Sequence, residues 1–380
     1  MRIGIDITSA VTQSAGIGRY TRELIRALLA RDTSHTYSLF YASEKQVEPI
    51  GPLPPNARVR RLPFHDKWLA RIWHRFQIPI PVEWITGRVD LFHSPDFTLP
   101  PTLFRIPTLL TVHDLSFIRD PDSAVPSLRQ FLNRAVRRSV ARARHVLADS
   151  QATKDDLIEL FDTPPDKIDV LLSGVAARFT PVRDPAALAA VRAKHDIGDD
   201  PFVLALGTLQ PRKNYTRLIQ AFGKVASQPG QSANLIIAGG RGWLFDSIFA
   251  EVTRLGLERR VRFIGFVDDA DLPALYSAAT VFAYPSLYEG FGLPALEAMA
   301  CGTPVIGSNV SSIPEVIGAA GLLVNPFDVD AIAAGLIGLL TDASAREAYR
   351  DAGVQRAAQF TWDSAARQLH SIYHRLLVRV

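Results

Sequence analysis

Sulfur is nearly absent from this chain. One cysteine, Cys301, and two methionines stand among 380 residues. A lone cysteine excludes an internal disulfide framework and a cysteine-built zinc site. Lysine is scarce too, with seven against 35 arginines. No run approaches the roughly 18 consecutive apolar residues that a membrane span needs. The start, Met1–Thr8, is too short and too broken by Gly4 and Asp6 for a secretory signal, and reads as a buried strand from residue 2. A cytoplasmic location is the expectation. Low-complexity tracts and repeats of solenoid length are also missing. What remains is a globular mixture, 47% hydrophobic and 21% charged, long enough for two domains or three.

The net charge of +4 is unevenly placed. Residues 1–173 hold 23 Lys and Arg against 19 Asp and Glu, whereas residues 174–380 are balanced at 19 each. Residues 57–82 carry six basic residues and only Asp66 as an acid; residues 123–148 carry six arginines and no acid. Such faces suit an anionic partner, whether nucleic acid, phosphorylated ligand or lipid surface. They equally suit a solvated helix in an arginine-rich protein.

Thirteen short apolar runs alternate with helical patterns along the chain, from Arg2–Ile7 to Gly321–Val324. Helical periodicity marks, among others, Gly18–Ala30, Ser127–Ala143, Tyr215–Ser227 and Ala331–Thr341. Strand–helix alternation predicts α/β architecture with parallel sheets covered on both faces. Thirteen strands exceed one compact open sheet, so two Rossmann-like doubly wound domains are expected. Pro181, Pro185 and Pro201 interrupt the middle, placing a hinge near 174–180 and domains at 1–174 and 175–360. Ligands of such sheets bind beyond the carboxyl ends of strands.

Three of those loops carry chemistry. After the first strand, Gly16-Ile-Gly18-Arg19-Tyr20 opens a helix. Two glycines allow close backbone approach and the helix start favours an anion or sugar contact, but the same residues equally make a plain turn. The dinucleotide fingerprint fails, because its third glycine position is Thr21. The second half opens on a strand followed by Gly207-Thr-Leu-Gln-Pro-Arg212-Lys213-Asn214. A cationic pair beside a helix N-terminus opposes the dipole, which points to a diphosphate, with a solvated turn as the alternative. Further on runs Glu289-Gly290-Phe291-Gly292-Leu293-Pro294-Ala-Leu-Glu297. Pro294 suits a first helical turn. Glu297 sits among Leu293, Leu296, Ala298 and Met299, so its carboxylate needs donors from protein or ligand. Both carboxylates and the amides of residues 290–293 read as a polar cup for sugar hydroxyls and phosphate.

Glu289 and Glu297, with seven residues between them, resemble the paired-glutamate motif of retaining glycosyltransferases of family 4. Their GT-B fold consists of two facing Rossmann-like domains with a cleft between them. The resemblance spans nearly the whole chain through Gly16–Tyr20, His93-Ser-Pro95, Thr111–Leu115, Ala148–Thr153, Gly207–Asn214 and Ala238-Gly-Gly240. Pro211–Asn214 is most similar to the bacterial mannosyltransferase branch. The resemblance implies a first domain that binds acceptor, with the C-terminal helix 361–380 packing back on it, and a second that binds a nucleotide sugar. Glu289 would contact the transferred sugar and Glu297 the ribose. Phe291, Gly292 and Leu293, with Gly290, would hold sugar and diphosphate through their amides. Arg212 and Lys213 would neutralise the leaving diphosphate, Gly16, Gly18 and Arg19 would approach it, Gly207 and Gly240 would line the donor site, and His113 would flank the sugar. The donor would be GDP-mannose, with a UDP-sugar as the alternative, and the acceptor a glycan or lipid-linked oligosaccharide of bacterial surface polysaccharide synthesis. No metal or other cofactor would be required. Two departures stand out: Thr208 replaces a frequent arginine, and Ala176 replaces an acid.

Other signals are weaker. Asp269-Ala-Asp271 and Asp328-Val-Asp330 read as helix-start acids rather than ligands. Arg58–Arg75 mixes cations with Trp68, Ile72 and Trp73, and on one helical face would dock peripherally at an anionic bilayer at the inner side of the cell membrane. Trp68 and Trp73 would equally suit the core. His93 reads as a ligand contact or a satisfied core histidine. Trp362–Leu377 is an amphipathic helix. A dehydrogenase lacks its fingerprint, a nucleic-acid binder would leave the loop constellation without purpose, and a nucleotide-sugar epimerase stays the nearest rival.

Overall fold

The computed structural model of the chain describes residues 1–13, 16–103 and 105–378. Ser14 and Ala15 of the first loop, and the last two residues of the expected C-terminal helix, lie outside the described residues. The first seven strands are β1 (Arg2–Asp6), β2 (Thr36–Ala42), β3 (Ala57–Leu62), β4 (Leu91–Ser94), β5 (Thr108–Val112), β6 (His145–Ala148) and β7 (Ile168–Val170). The helices among and beyond them are α1 (Thr8–Thr12), α2 (Ile17–Arg31), α3 (Lys67–Ala70), α4 (Glu83–Thr86), α5 (Ser116–Arg119), α6 (Pro126–Arg142) and α7 (Gln151–Phe161). The second set of strands is β8 (Phe202–Leu206), β9 (Asn234–Ala238), β10 (Val261–Gly265), β11 (Val281–Tyr284), β12 (Val305–Ser308) and β13 (Leu322–Val324). Its helices are α8 (Pro185–Lys194), α9 (Tyr215–Ala226), α10 (Asp246–Arg254), α11 (Leu272–Ala278), α12 (Leu293–Ala300), α13 (Ile313–Ile317), α14 (Val329–Thr341) and α15 (Ala343–Ala357), followed by α16 (Trp362–Val378).

Both sheets are wholly parallel. Their orders are β3-β2-β1-β4-β5-β6-β7 and β10-β9-β8-β11-β12-β13. Strands covered on both faces are near-continuous apolar runs; Phe202–Leu206 is one, and Thr108–Val112 is wholly buried with two threonines in it. The edge strand β3 instead alternates exposed arginines with apolar residues, which discourages further pairing. Strand order reverses between β1 and β4 in one sheet and between β8 and β11 in the other. These switch points are where such sheets hold ligands.

The chain forms two compact units: residues 1–118, 126–174 and 361–380, and residues 119–125 with 175–360. Within the first, α16 lies along α2. Its apolar stripe of Trp362, Ala366, Leu369, Tyr373 and Leu376 is buried. Polar contacts fix it: Tyr373 Oη lies 2.7 Å from His93 Nδ1, Gln368 donates to the Val170 carbonyl at 2.7 Å, and Arg375 pairs with Asp169. Gly174 lets the chain pass the start of α16, since a Cβ there would lie 2.1 Å from the Trp362 nitrogen. The basic aromatic segment does not form one amphipathic helix. After α3 the backbone widens into a π-turn over Arg71–Arg75, which rotates Trp73 inward to donate to the Ile80 carbonyl at 2.8 Å. Trp68 stays outside, beneath the Arg71 guanidinium at 5.2 Å. Among the described residues no helix is long and apolar enough to cross a membrane.

Candidate active site

The second unit concentrates its polar residues at the β8/β11 switch point. The loop after β8 runs from Gly207 to Asn214, and the loop after β11 from Pro285 to Gly292. They are stitched together by backbone and amide bonds: Leu287 N–H donates to the Arg212 carbonyl at 2.9 Å, and the Asn214 amide donates to the Pro285 and Pro326 carbonyls at 2.9 and 2.7 Å. Asn214 adopts the left-handed conformation, φ 60°, which asparagine tolerates better than most residues. That turn aims Arg212 and Lys213 at Glu289.

Glu289 is the hub. Its Oε2 accepts from Arg212 Nη1 at 2.7 Å and its Oε1 from Lys213 Nζ at 2.7 Å. Lys213 also donates to the Tyr284 hydroxyl at 2.9 Å and lies over that ring at 4.9 Å. Arg212 further donates to the Tyr288 carbonyl at 2.7 Å. Burial pushes the Glu289 carboxyl up, but Arg212 and Lys213 outweigh it and hold it at about 2. Ser312 accounts for both neighbouring carbonyls, donating toward Glu289 and Phe291 at 2.9 Å each.

The sequence-derived cup divides into two parts. Glu297 on α12 is 1% exposed, and its Oε2 accepts from the Tyr276 hydroxyl at 3.1 Å. Its donor therefore comes from α11, not from the cations that serve Glu289. Gly290 is buried in the loop. The Phe291 ring packs on Phe360 with centroids 5.9 Å apart, so only its backbone faces the loop. Gly292 is the N-cap of α12 at φ 112°, and a Cβ there would lie 2.8 Å from Ile313. Leu293 begins the helix. Amides of Ala295 and Leu296 turn back to the Gly292 carbonyl, while those of residues 290–293 have no backbone acceptor among the described residues. An anion placed there meets donors, a helix N-terminus and two nearby cations.

Glycine demand falls one residue from where the sequence pattern pointed. Gly240 has open space about its α-carbon, whereas a Cβ on Gly239 would lie 2.0 Å from the Gly207 carbonyl oxygen. Gly207 in turn leaves room for the Lys213 stem, 3.1 Å from the position of a Cβ. The Asp-x-Asp pairs differ from each other. Asp328 caps α14 through the Ala331 amide at 2.9 Å, whereas Asp271 pairs with Lys194 and His195 instead of capping α11.

In the first unit, Gly16 precedes α2 at φ 50°. Gly18 is required by contact: a Cβ there would lie 1.8 Å from the Gln13 carbonyl oxygen. Arg19 is buried in the first turn of α2. His113 follows β5 and is 4% exposed. Its Nδ1 lies 2.7 Å from Asp149 Oδ2 and its Nε2 3.0 Å from the Pro95 carbonyl. A carbonyl only accepts, so Nε2 carries a hydrogen, and the second proton lies between Nδ1 and Asp149. Burial disfavours the charged ring, but Asp149, Asp96 and the Pro95 carbonyl lift it to about 9. His113 therefore holds a proton at neutral pH and is no general base. His93 is the opposite case: burial, then His113, depress it to about 3. It serves as a neutral link between Thr111 and α16.

This pair sets a pH dependence. The folded value of about 9 exceeds the unfolded histidine value near 6.5. Its stabilisation is complete below about 6.5 and is lost as pH rises through 9, at about 1.4 kcal/mol per unit while the proton counts differ. We expect Asp149→Asn to flatten the fall in melting temperature across that window and to bring the His113 ring resonance in NMR down to ordinary titration. An unchanged His113 midpoint would remove the assignment.

A pocket of about 130 Å³ lies nearby, lined by Asp6, Asp66, Asp96, Trp73 and His74 among others. It holds three carboxylates and no lysine or arginine. Burial raises Asp6 to about 6 and raises Asp96 as well, while burial, with Arg142 and Arg138, lowers His74 to about 4. Elsewhere Asp32, His35 and His370 gather within 4.8 Å. Asp32 is already bonded by Ser34, His35 and Tyr37, so this group clasps α16 to α2.

Two Rossmann-like units, each with its polar loops at a switch point and one with a cation pair facing an anion-binding helix start, define a two-domain glycosyltransferase of the GT-B class. The comparisons agree. Residues 189–356 match Glycosyl transferases group 1, and residues 14–178 match Glycosyltransferase Family 4. The O-antigen chain mannosyltransferase B of Escherichia coli is 35% identical over 366 residues, covering 94% of this chain and 95% of that protein. The serotype-specific mannosyltransferase WbdA of Escherichia coli is 31% identical over 293 residues, 75% of this chain but 36% of that protein, so the match spans about a third of its length. Among solved structures, sucrose-phosphate synthase of Thermosynechococcus elongatus superposes with a TM-score of 0.77 at 25% identity over 100% of both chains. Anabaena Alr3699/HepE, solved in complex with UDP and glucose, gives 0.73 at 21% identity over 99% of this chain and 100% of that one. The chain belongs to glycosyltransferase family 4.

Proposed function

We propose that this enzyme transfers mannose from GDP-mannose, with retention at the anomeric carbon, to a glycan or lipid-linked oligosaccharide acceptor in bacterial surface polysaccharide synthesis. The carrying observation is the Arg212–Glu289–Lys213 cluster beside the amides of residues 290–293 at the start of α12. It matches a departing nucleoside diphosphate in charge and in donors. In the reaction the bond from the sugar carbon to phosphate oxygen breaks, the acceptor oxygen bonds to that carbon on the same face, and its proton passes to the leaving phosphate. Arg212, Lys213 and the α12 N-terminus take up the developing charge. Glu289 orients the sugar hydroxyls, Glu297 the ribose, and His113, protonated with both N–H groups held by Asp149 and Pro95, flanks the sugar as a fixed positive charge rather than a base. The identity to O-antigen mannosyltransferase B supports mannose as the sugar. The acidic pocket of the first unit favours a neutral acceptor sugar, since it would repel a phosphorylated one. Trp68, Phe76 and Trp84, exposed by 51%, 62% and 69%, with the surrounding arginines, support peripheral contact with an anionic membrane.

The test is a transfer assay with GDP-mannose, UDP-sugars and ADP-sugars beside thermal unfolding. The productive nucleotide at 100 times its dissociation constant should stabilise by about 2.7 kcal/mol, and the product should keep the donor's anomeric configuration. Transfer only from UDP-sugars would overturn the donor; free sugar without acceptor would overturn the reaction. Arg212 and Lys213, with the α12 N-terminus, also supply positive potential of the kind a divalent metal would bring. We therefore expect EDTA to leave the rate unchanged, and abolition by EDTA with recovery on Mg²⁺ or Mn²⁺ would refute this.

A further inference from the structure

The arginine-rich stretch singled out in the sequence has no part in the site above, and the structure gives it one. The loop before β5, the end of α6, the start of β6 and the residue before β7 enclose a pocket of about 490 Å³. Its lining includes Arg105, Arg142, Arg144 and Lys167, and no carboxylate. It opens at the amino ends of β5 and β6. His113 and Asp149 leave their carboxyl ends, about 15 Å away at about 3.3 Å per strand residue.

Two of these cations have structural work. Arg142 donates to the Leu99 and Pro100 carbonyls at 3.1 and 2.9 Å, which pins the loop that forms one wall. Lys167 caps the C-terminus of α6 by donating to the Val140 and Ala141 carbonyls at 2.7 and 3.2 Å, a position the helix dipole favours for a cation. Each keeps further N–H groups for a ligand, since a guanidinium has five and an ammonium three. Arg105 and Arg144 are different. Their side chains make no hydrogen bond or ion pair among the described residues, and both are exposed. Partial burial, together with Arg138, pushes the Arg142 guanidinium below its usual value, as expected where like charges gather without an acid. Four converging cations on a pinned loop and a capped helix form a pre-shaped receptor. Guanidinium forks match phosphate oxygens in pairs.

We propose that this pocket is a second anion site, for a phosphate group, separate from the sugar-nucleotide site. Its ligand is a phosphate monoester or diester, whose source is either an anionic phospholipid headgroup or a soluble phosphate. The site lies outside the transfer machinery, so the proposal holds whatever the donor and acceptor are.

The experiment compares R105S/R144S with K45S/R259S, which removes two exposed positive charges elsewhere. Arg142 and Lys167 stay, so the loop and helix end keep their bonds, and a thermal melt checks folding. Each protein is titrated calorimetrically with inorganic phosphate and sedimented with vesicles of phosphatidylcholine alone or with phosphatidylglycerol. The Arg212–Lys213 site is intact in both variants and cancels. Loss of about tenfold in phosphate affinity, or in retention on phosphatidylglycerol vesicles, in R105S/R144S but not in the control supports the site. A loss confined to phosphate marks a soluble ligand, and a loss that extends to the vesicles marks a lipid headgroup. Equal behaviour of the two variants toward both probes overturns it, whether both bind fully or both lose binding through lowered charge. Transfer to a soluble acceptor should be unchanged in either variant.

Discussion

Glu289→Gln should lower transfer by about 10²-fold or more while affinity for nucleoside diphosphate holds or rises. The isosteric amide keeps volume but not charge. Glu289, Arg212 and Lys213 side chains are only 7%, 16% and 10% exposed. Without the carboxylate, two largely buried cations lose their compensation, which commonly destabilises a fold by about 3–5 kcal/mol. The free enzyme should therefore melt earlier. A diphosphate restores the missing charge, so its binding gains what the free state lost. Turnover falls because the sugar loses a charged hydroxyl acceptor and the cations lose their fixed aim, and electrostatic groups of this kind are worth roughly 10²–10³ in rate. Calorimetric titration with GDP, kcat with GDP-mannose, and melting with and without GDP decide it. A parallel loss of GDP affinity would show that Glu289 binds nucleotide rather than sugar. Acid provides a second check. The wild-type carboxyl sits at about 2, below its unfolded value near 4.3. Its stabilisation is complete above that value and lost as pH falls toward 2.

The strands were legible because their chemistry is simple. A parallel strand covered on both faces is a near-continuous apolar run, and central strands such as Phe202–Leu206 and Val281–Tyr284 are, while the edge strand β3 carries exposed arginines. Positions of the loops followed, since motifs after β8 and β11 could only fall at carboxyl ends. What sequence periodicity could not show was pairing across distance. Glu289 and Glu297 look alike in one motif, yet one is held by cations from the loop after β8 and the other by Tyr276 of α11. Asp149 lay inside a quoted motif, but only the fold brings it to His113. The demand for glycine at 239 comes from a carbonyl 32 residues earlier in the chain, that of Gly207, and no local pattern records it. The turn at Arg71–Arg75 shows the same limit. One extra residue per turn moves Trp73 from surface to core, and helical spacing alone does not reveal where that residue enters.

Lys213→Ala should weaken nucleoside diphosphate roughly 10- to 150-fold and leave nucleoside affinity almost unchanged. The range follows from about 1.5–3 kcal/mol for a charge-assisted phosphate contact. Lys213 is placed for that contact by three features: the left-handed turn at Asn214, the space that Gly207 leaves for its stem, and the Tyr284 ring beneath its ammonium. Its truncation leaves Glu289 with Arg212 alone, so the carboxyl should rise from about 2 toward the ordinary range. The acid limb of the activity profile should move to higher pH accordingly. Lys213→Arg should rescue little, because a planar guanidinium does not place a compact charge between the Glu289 carboxylate and the Tyr284 ring as the ammonium does. Titration with GDP, GMP and guanosine orders the contacts: the loss should be largest for GDP, smaller for GMP and absent for guanosine. Equal losses for all three would mean that Lys213 supports the loop rather than the phosphate. A melting temperature unchanged from wild type without ligand, with a smaller rise on adding GDP, would separate a binding defect from a folding one.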